Sequence, residues 1–521
     1  MNYRIPVALL TPLMAAGLSA CGVIPTAAPP AEPPPSRAPA VPPSSPGPSP
    51  GGLDGRPALA ESRSTLTPDL KVEVVGLNRV KGKHLVAQLR LSHTGTGEHI
   101  PWTGEMGDST RPLGQIRWAS GIGVLDERAR AWILPYKPAG SPCLCSDQDR
   151  DDLGYFIDAG RSIDVYAVLP APSGDPDTAT VVTPLGPPMP DVPISDEPPV
   201  TPPGMNVPDP DAEPVTTVTR RLVTPSQSLD RTEETTDDGA DLSVSLSSDV
   251  LFAVNKATLT GRARTILART AKLIDASPGA AVRVAGHADS SGTDAINDPL
   301  SRRRAQAVRA ALSPLVTRQG ITFQAKGYGS RSPLYGNDTE EGKRRNRRVT
   351  VTFAKPRPAA PEPATASPAE TPETPDESGL TGTATADGQP ISLAVNGLRR
   401  LPGGLGLLTY TVTNEGDGEA WFNELHLAKD WMSFKYQAAS NITLTDETAR
   451  RAYLPGRLQV PTGDGVDSYC ACTDVSGVRL ATEKFGPGQS RRFWGLFELP
   501  ADASARTVKI AGFKELQVPV R

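Results

Sequence analysis

Two charged residues in the middle of the sequence, Asp289 and Arg304, are placed where they could bind a charged ligand. A short, mostly apolar strand is predicted over residues 281–285, so Asp289 lies where that strand opens into a loop. A helix is predicted to follow, with Arg304 inside its apolar stripe and with Arg302 and Arg303 facing solvent. A buried guanidinium without a partner is costly. Arg304 therefore needs a partner or an anionic ligand, and Asp289 is the obvious residue to share its site.

The helix that carries Arg304 has a start signal of its own. Asp298 could cap the helix with Pro299 in the first turn, where a missing N–H costs nothing. Apolar side chains then recur at helical spacing and define a buried face, namely Leu300, Ala307, Val308, Ala311, Leu312 and Leu315. We therefore expect the helix to begin near residue 298.

About a hundred residues around this site resemble the OmpA-like C-terminal domain, a peptidoglycan-binding α/β family. The matching motifs occur in the family's order and are Phe252-Ala253-Val254-Asn255-Lys256, Gly286-His287-Ala288-Asp289, Asn297 with Leu300-Ser301 and Arg304-Ala305, Gly327-Tyr328-Gly329, and Asn346-Arg347-Arg348-Val349. One departure is Ala288, where a threonine is common in the family.

The resemblance implies a ligand and a role for each site residue. In such domains an aspartate and an arginine fifteen positions later hold the diaminopimelate of the wall's peptide stem. It follows that Asp289 binds the ligand's ammonium and Arg304 its carboxylate, an assignment that suits both charged groups. Asn255, Asn297 and Arg347 match further positions of the family's pocket. The alternative is that Asp289 and Arg304 only pair with each other.

The composition divides the chain into folded and proline-rich stretches. The 521 residues include 55 prolines but only 5% aromatic residues, which argues against one continuous core. The formal net charge is −4 and no long basic run occurs, so nucleic acid is not the expected partner. Because no metal-ligand spacing, phosphate loop or nucleophile elbow is visible, we predict no metal, no cofactor and no enzyme activity.

The first 21 residues have the pattern of a bacterial lipoprotein signal. Arg4 supplies a positive charge, and residues 5–17 form an apolar stretch too short to span a bilayer. Leu18-Ser19-Ala20-Cys21 then resembles a lipobox, whose cysteine is acylated and becomes the first residue of the mature chain. The resemblance implies a lipid anchor at Cys21, outside the cytoplasm, on the plasma membrane or the outer membrane. An ordinary cleaved signal with a chance cysteine is the alternative.

The predicted architecture is multidomain, with a central α/β (α+β) OmpA-like sandwich between two duplicated antiparallel β-sandwiches. The predicted segments are a signal at 1–21, a proline-rich tether at 22–68, a first sandwich at 69–184, a proline-rich and acidic linker at 185–241, the OmpA-like domain at 242–355, a second linker at 356–388 and a second sandwich at 389–521. Because their composition cannot bury a core, the linkers are expected to be extended or disordered.

Ordered identities indicate that the two flanking domains are copies of one unit. They include Gly76-Leu77 with Gly397-Leu398 at an offset of 321, Asp126-Glu127 with Asp446-Glu447 at an offset of 320, and Cys143-Leu144-Cys145 with Cys470-Ala471-Cys472. An oxidising compartment favours disulfides, and four cysteines allow three connectivities. Pairing within each copy is the economical choice, as Cys143–Cys145 and Cys470–Cys472. A redox-active disulfide or a thiolate metal site remains the alternative.

The leading hypothesis is a lipid-anchored envelope protein that binds peptidoglycan non-covalently and links membrane to wall. The alternative is an envelope assembly or secretion component, in which wall binding localises β-sandwich domains that recruit envelope proteins. Two adjacent acidic pairs could suggest sugar-cleaving carboxylates, but neighbouring strand residues point to opposite faces. We therefore expect turns at Asp126-Glu127 and Asp446-Glu447 rather than catalytic sites.

Overall fold

In the residues that it describes, the computed structural model is mostly β, with several sheets and few helices. These residues are 53, 55–65, 67–108, 118–202, 204–356, 380–426, 434–435, 437–463, 465–473 and 484–521. The predicted signal with Cys21, most of the 22–68 tether and most of the 356–388 linker lie outside them. No helix among the described residues is both long and apolar enough to cross a membrane.

The first module consists of two antiparallel layers around one core. Its strands are β1 (Ala60–Arg63), β2 (Leu70–Val80), β3 (His84–His93), β4 (Ile100–Pro101), β5 (Gly123–Asp126), β6 (Ala131–Pro138), β7 (Phe156–Ile157), β8 (Ser162–Pro170), β9 (Thr178–Thr183) and β10 (Gly186–Pro193). One sheet has the order β1-β2-β3-β8, and the other layer has the order β10-β9-β5-β6. Alternate side chains such as Val72, Leu89 and Val165 meet Val124 and Val181 in a shared core, as the period of two requires. The module therefore begins inside the predicted tether and ends beyond residue 184.

Residues 185–241, predicted to be an extended or disordered linker, are instead largely folded. Besides β10, they contain β11 (Val215–Ser228) and β12 (Glu233–Asp237). Proline concentrates before residue 215, whereas β11 opens with a run of threonine and valine, which favours a strand. The prediction was wrong because β11 finds its partners far away in sequence, in both flanking modules.

The central domain places helices against a mixed sheet. Its elements are β13 (Asp241–Ser247), α1 (Ser248–Leu251), α2 (Gly261–Ala276), β14 (Ala281–Gly286), α3 (Asp294–Leu312), β15 (Thr322–Gly327), α4 (Glu340–Asn346) and β16 (Arg348–Ala354). The strand order is β12-β13-β16-β14-β15, with β14 and β15 parallel and the other pairs antiparallel. Ile266 and Leu267 of α2 and Val308 of α3 pack on Val284 and Val351 of the sheet.

Helix α3 begins one turn earlier than the sequence indicates. Thr293 occupies the N-cap position, so Asp298 is not the cap and Pro299 lies inside the helix. The Asn297 side chain donates to the Asp289 and Gly292 carbonyl oxygens, at 3.2 and 3.1 Å. These bonds hold the extra turn against the loop that follows β14.

The second module has the same arrangement of layers. Its strands are β17 (Thr381–Ala386), β18 (Gln389–Leu401), β19 (Leu405–Asn414), β20 (Ile442–Asp446), β21 (Arg451–Tyr453), β22 (Arg457–Thr462), β23 (Gly465–Cys470), β24 (Ser490–Glu498), β25 (Ala505–Ile510) and β26 (Leu516–Pro519). One sheet has the order β17-β18-β19-β24, and β21, β20, β25 and β26 pair in that order. Leu393, Val412 and Phe493 share the core with Leu444 and Val508.

Strand β11 joins all three parts into one continuous sheet. Its first half pairs with β6 of the first module, and its middle and end pair with β22 and β21 of the second. Its last residues also pair with β12, which continues into the central sheet. Val218 and Leu222 of β11 lie in an apolar cluster where Trp132 stacks on Trp494, with ring centroids 6.2 Å apart.

Candidate functional site

The candidate site lies at the carboxyl end of β14, where two glycines let α3 approach the sheet. A Cβ at Gly286 would overlap the Ser301 carbonyl oxygen, and one at Gly327 would overlap the Arg302 backbone nitrogen. Because only glycine permits this close approach, α3 lies directly over the strand ends. As predicted, Arg304 faces inward from this helix, whereas Arg302 and Arg303 are exposed.

Asp289 is buried but stays ionised. Its Oδ2 accepts a hydrogen bond from Nη1 of Arg347 at 2.6 Å, and its Oδ1 accepts one from the Ser291 backbone N–H at 2.9 Å. Burial by itself would raise the pKa of Asp289, but the bonds from Arg347 and Ser291 outweigh it and hold the pKa below its usual value. The carboxylate therefore presents negative charge at neutral pH, with oxygen lone pairs still available.

Arg347 bridges two carboxylates rather than one. Besides Asp289, its Nε and Nη2 donate to the two oxygens of Asp249, at 3.1 and 2.8 Å. Asp249, in the first turn of α1, is a site residue that the sequence analysis missed. The available signal was Ser247-Ser248-Asp249, a helix-start pattern directly before the Phe252 motif.

Arg304 is buried with most of its donors uncommitted. Its Nε donates to the Lys256 carbonyl oxygen at 3.1 Å, and its guanidinium carbon lies 5.1 Å from the centroid of the Phe252 ring. Among the described residues no carboxylate forms a salt bridge with it, so the alternative of a simple Asp289–Arg304 pair is not what the structure contains. Burial lowers the pKa of Arg304, although a guanidinium keeps its charge at neutral pH.

Of the two predicted asparagines, Asn297 is buried at the site and Asn255 is exposed. Asn297 is buried and orients the Asp289 loop through its contact with the Asp289 carbonyl oxygen. Asn255 is exposed in the loop before α2, with a φ of 55°. Its side chain makes no hydrogen bond within the described part of the chain, while its neighbour Lys256 supplies the carbonyl that holds Arg304.

His287 stabilises the site without offering acid–base chemistry. Its ring stacks on Tyr328 at 5.3 Å with an interplanar angle of 6°. Burial, and to a smaller degree the charge of Arg348, lowers the pKa of His287 to about 3, so the ring is neutral near pH 7. The site therefore combines two carboxylates, Asp249 and Asp289, with two guanidiniums, Arg347 and Arg304. Such a site is suited to bind a zwitterionic group.

The cysteines lie away from this site, one disulfide in each flanking module. Cys143 is bonded to Cys145 and Cys470 to Cys472, with Cα separations of 5.4 and 5.2 Å, inside the usual range. All four are at most 1% exposed. No group of three or more metal-ligating side chains occurs in the described ranges.

The central domain, with its mixed sheet, packed helices and charged site, matches a known family of domains. Residues 251–347 match the family model described as "OmpA family". Putative lipoprotein YfiB of Escherichia coli (strain K12) is 32% identical over 123 residues, covering 23% of this chain and 76% of that protein. The chain therefore belongs to the OmpA family through its central domain.

Other similar proteins match about a fifth to a quarter of this chain. Outer membrane porin F of Pseudomonas aeruginosa is 39% identical over 101 residues, which are 19% of this chain and 29% of the porin. A solved structure of the cell wall anchor of the T6SS from Pseudomonas aeruginosa has 30% identity over 24% of this chain and 90% of that chain, with a TM-score of 0.22. The chain spans about a third of the length of the outer membrane proteins that it matches first.

Proposed function

We propose that this protein binds peptidoglycan non-covalently in the cell envelope, through the diaminopimelate of the peptide stem. The observation that carries the proposal is Arg304, a buried cation that forms no salt bridge with a carboxylate among the described residues, in the same charged environment as an ionised Asp289. In the proposed complex Arg304 clamps the ligand's carboxylate with two parallel hydrogen bonds. Asp289 accepts from the ligand's ammonium through the lone pairs that Arg347 and Ser291 leave available.

Arg347 and Asp249 set the charge balance of the proposed complex. Arg347 offsets part of the Asp289 charge, and Asp249 holds Arg347 by two hydrogen bonds. A ligand ammonium at Asp289 would lie near Arg347 and be repelled by it. The hydrogen bonds to Asp249 hold the Arg347 guanidinium in place and offset part of its charge. Asn297 keeps the Asp289 loop in position, and Asn255 is proposed to line the pocket's open side.

We also propose that Cys21 carries a lipid anchor and that the two flanking modules are copies of one β-sandwich domain. The names of two relatives, putative lipoprotein YfiB and probable lipoprotein YiaD of Escherichia coli, support an anchored location. Replacement of Cys21 by serine should abolish palmitate labelling and move the protein from the membrane fraction to the soluble fraction. Unchanged fractionation would contradict the anchor.

The wall-binding proposal is tested by co-sedimentation of the purified chain with isolated sacculi. Truncating one partner of a desolvated charge contact costs about 2 kcal/mol or more, roughly thirtyfold in affinity. Asp289→Ala and Arg304→Ala should therefore stay in the supernatant, while the wild-type chain pellets. Arg303→Ala is the matched control, because it removes the same side chain from an exposed position of the same helix. Equal pelleting of all four chains would overturn the proposal.

A second candidate is an envelope assembly or secretion component in which wall binding localises the flanking modules. The observation that favours it is the continuous sheet through β11, which would hold anything bound to the modules at a fixed position relative to the wall. Under this proposal Arg304→Ala misplaces the modules' partner in cells, whereas under the first it only weakens attachment to the wall.

A further inference from the structure

A second polar cleft lies on the central domain, between the β11–β12 turn and α4. The cleft is lined by Arg231 and Glu234 from the β11–β12 turn and β12, by Ser247 at the end of β13, and by Arg345 and Arg348. The space between these side chains measures about 350 Å³ when the adjoining open solvent is included, so a small anion can reach the cleft from solvent. Hereafter it is called the junction cleft.

The junction cleft is separate from the site at Asp289. Arg347 caps the end of α4 and Arg348 is the first residue of β16, and the two side chains point to different sides of the chain. Arg347 bonds to Asp289, whereas Arg348 lines the junction cleft. The two sites therefore share a stretch of backbone but no side chain.

The carboxylates at the junction cleft are already engaged. Glu234 accepts from Nη1 of Arg345 at 2.9 Å and from the Tyr335 hydroxyl. Glu233, which also lines the cleft, accepts from Nη1 of Arg451 at 3.0 Å. Each glutamate is therefore already hydrogen-bonded to an arginine.

Two of the four arginines that line the junction cleft are engaged as well. Arg344 donates to both oxygens of Glu341, at 2.7 and 2.8 Å. Arg345 binds Glu341 as well as Glu234. These two guanidiniums are therefore charge-compensated.

Neither Arg348 nor Arg231 forms a salt bridge with any residue the structure describes, and Glu234 attracts Arg348 only from beyond hydrogen-bond distance. Arg348 is 7% exposed and reaches only the carbonyl oxygens of Asn346 and Ser332, at 3.4 and 3.2 Å. Its buried Nε and the buried Oγ of Ser247 have no hydrogen-bond partner. Burial lowers the pKa of Arg348 to about 10, which leaves it charged at neutral pH. A buried cation in such surroundings is costly unless an anion compensates it.

We propose that the junction cleft binds an oxyanion between Arg348, Arg231 and the Ser247 hydroxyl. The ligand class is a phosphate or carboxylate group, since both offer several acceptor oxygens to guanidinium donors. The arrangement favours a phosphate group, from a phosphate-bearing polymer or a lipid headgroup, because its oxygens can accept from two guanidiniums and a hydroxyl at once; an acidic peptide is the outcome that preferential acetate binding would indicate. This site goes beyond the proposed wall binding and does not depend on it.

The test is thermal unfolding and titration calorimetry of the full chain with inorganic phosphate, against sodium chloride at matched ionic strength. Phosphate should raise the Tm in a saturable way, because a ligand that binds only the folded state stabilises it. Arg231→Gln, at an exposed position, should weaken phosphate binding about tenfold, as the loss of one charge-assisted hydrogen bond implies. Arg302→Gln, an exposed arginine outside the cleft, should bind as the wild type does.

Equal shifts with phosphate and chloride, or equal affinity of the wild type and Arg231→Gln, would overturn the proposal. Arg348→Gln should remove phosphate binding altogether, and Arg231→Gln remains decisive if that chain does not fold. Methyl phosphate and acetate distinguish the two sources of ligand, since preferential binding of one identifies its class. Arg304→Ala should keep the phosphate response, which separates this result from failure of the wall-binding proposal.

Discussion

The two flanking modules present opposite chemistry on matching faces. On the outer face of the first module's β5, β6 and β9 lie Leu125, Trp132 and Val182, all buried against the second module. Strand registers place Thr445, Ala452 and Lys509 at the matching positions of β20, β21 and β25. Thr445 and Lys509 are half-exposed. The first module therefore buries three apolar side chains on this face, whereas the second has two half-exposed polar residues and a buried alanine there.

The backbones of the two modules differ far less than these faces. A register shift lies between Val74 and Gly76 in β2 and between Val395 and Gly397 in β18. Both pairs are separated by 321 positions, the offset found in the sequence. Arg130 and Arg450, in the matching hairpins after β5 and β20, both have a φ of 51°. The contrast between the modules therefore lies in their side chains.

The sheets that contain β8 and β24 differ in the opposite sense, since here the second module supplies the face that packs against its neighbour. Trp494 and Leu496 of β24 pack against the first module, whereas Tyr166 and Val168, at the matching positions of β8, are covered by the chain's own proline-rich segment at 196–215. Val200 there accepts a hydrogen bond from Gln88 at 2.6 Å, and Asn206 accepts one from Tyr166 at 2.9 Å. The modules therefore meet through different faces, a heterologous rather than two-fold arrangement.

The largest expected effect tests whether the apolar face joins the modules. Trp132→Ala removes the ring that stacks on Trp494 and is 6% exposed. It should lower the free energy of unfolding by about 4 kcal/mol, as large-to-small changes of buried aromatics do, measured by denaturant unfolding. Trp421→Ala, at a tryptophan of the second module that is 45% exposed, should cost less than 1 kcal/mol. Equal losses of unfolding free energy in the two variants would show that the face around Trp132 does not hold the modules together.

The second prediction uses the matched hairpin arginines. Arg130 is buried and binds Asp237 at 2.9 Å and the Thr224 hydroxyl at 2.8 Å, whereas Arg450 is exposed. Arg130→Ala should lower the free energy of unfolding by about 3 kcal/mol because it leaves a buried carboxylate with one cation fewer. Arg450→Ala should stay within about 0.5 kcal/mol. Because both positions share the same positive φ, any backbone effect of alanine cancels between the two variants.

The third prediction concerns pH and a buried histidine of the second module. Burial lowers the pKa of His426 to about 4, while the unfolded chain takes up this proton near 6.5. Between these values the unfolded state binds more protons, so stability falls as the pH is lowered. The contribution lost between pH 7 and pH 4.5 is about 2 kcal/mol.

His426→Met is the matched test, because methionine occupies position 106 of the first module, at the offset of 320. Unfolding free energies across this pH range should fall less steeply for the variant than for the wild type. Identical slopes would show that His426 titrates normally in the folded chain.

The smallest expected effect on stability comes from giving the second module the first module's outer face. Thr445→Leu combined with Lys509→Val should change the free energy of unfolding by less than 1 kcal/mol, because both positions are half-exposed. The variant should nevertheless self-associate in sedimentation velocity, since an exposed apolar patch favours association. The wild type and the polar control Thr445→Ser should not. If the variant sediments as the wild type does, the polar residues on this face are not what prevents self-association.

The sequence carried enough local information for the central site and too little for the way the modules join. Helical spacing separated buried Arg304 from exposed Arg302 and Arg303, since three adjacent helix positions face different directions. The partner of Asp289 was not foreseen, because Arg347 reaches it across 58 positions. Pro299 predicts a helix start near residue 298, whereas α3 begins a turn earlier because of the cap at Thr293 and the Asn297 contacts.

The role of β11 was beyond local reasoning for a related reason. Proline is concentrated in residues 185–214 and predicts a linker there. The run that begins at Val215 is rich in threonine and valine and favours a strand instead. Its partners Trp132 and Leu458 come from modules on either side of the central domain. Only a global arrangement decides such pairings, so composition alone predicts a linker.

Because strands within residues 185–241 belong to the sheet, the first module and the central domain have less freedom to separate than the proline content suggests. A free polyproline segment of that length could have separated the first module from the central domain by up to roughly 180 Å. The folded segment removes that freedom, because β11 and β12 connect the first module to the central domain through one continuous sheet.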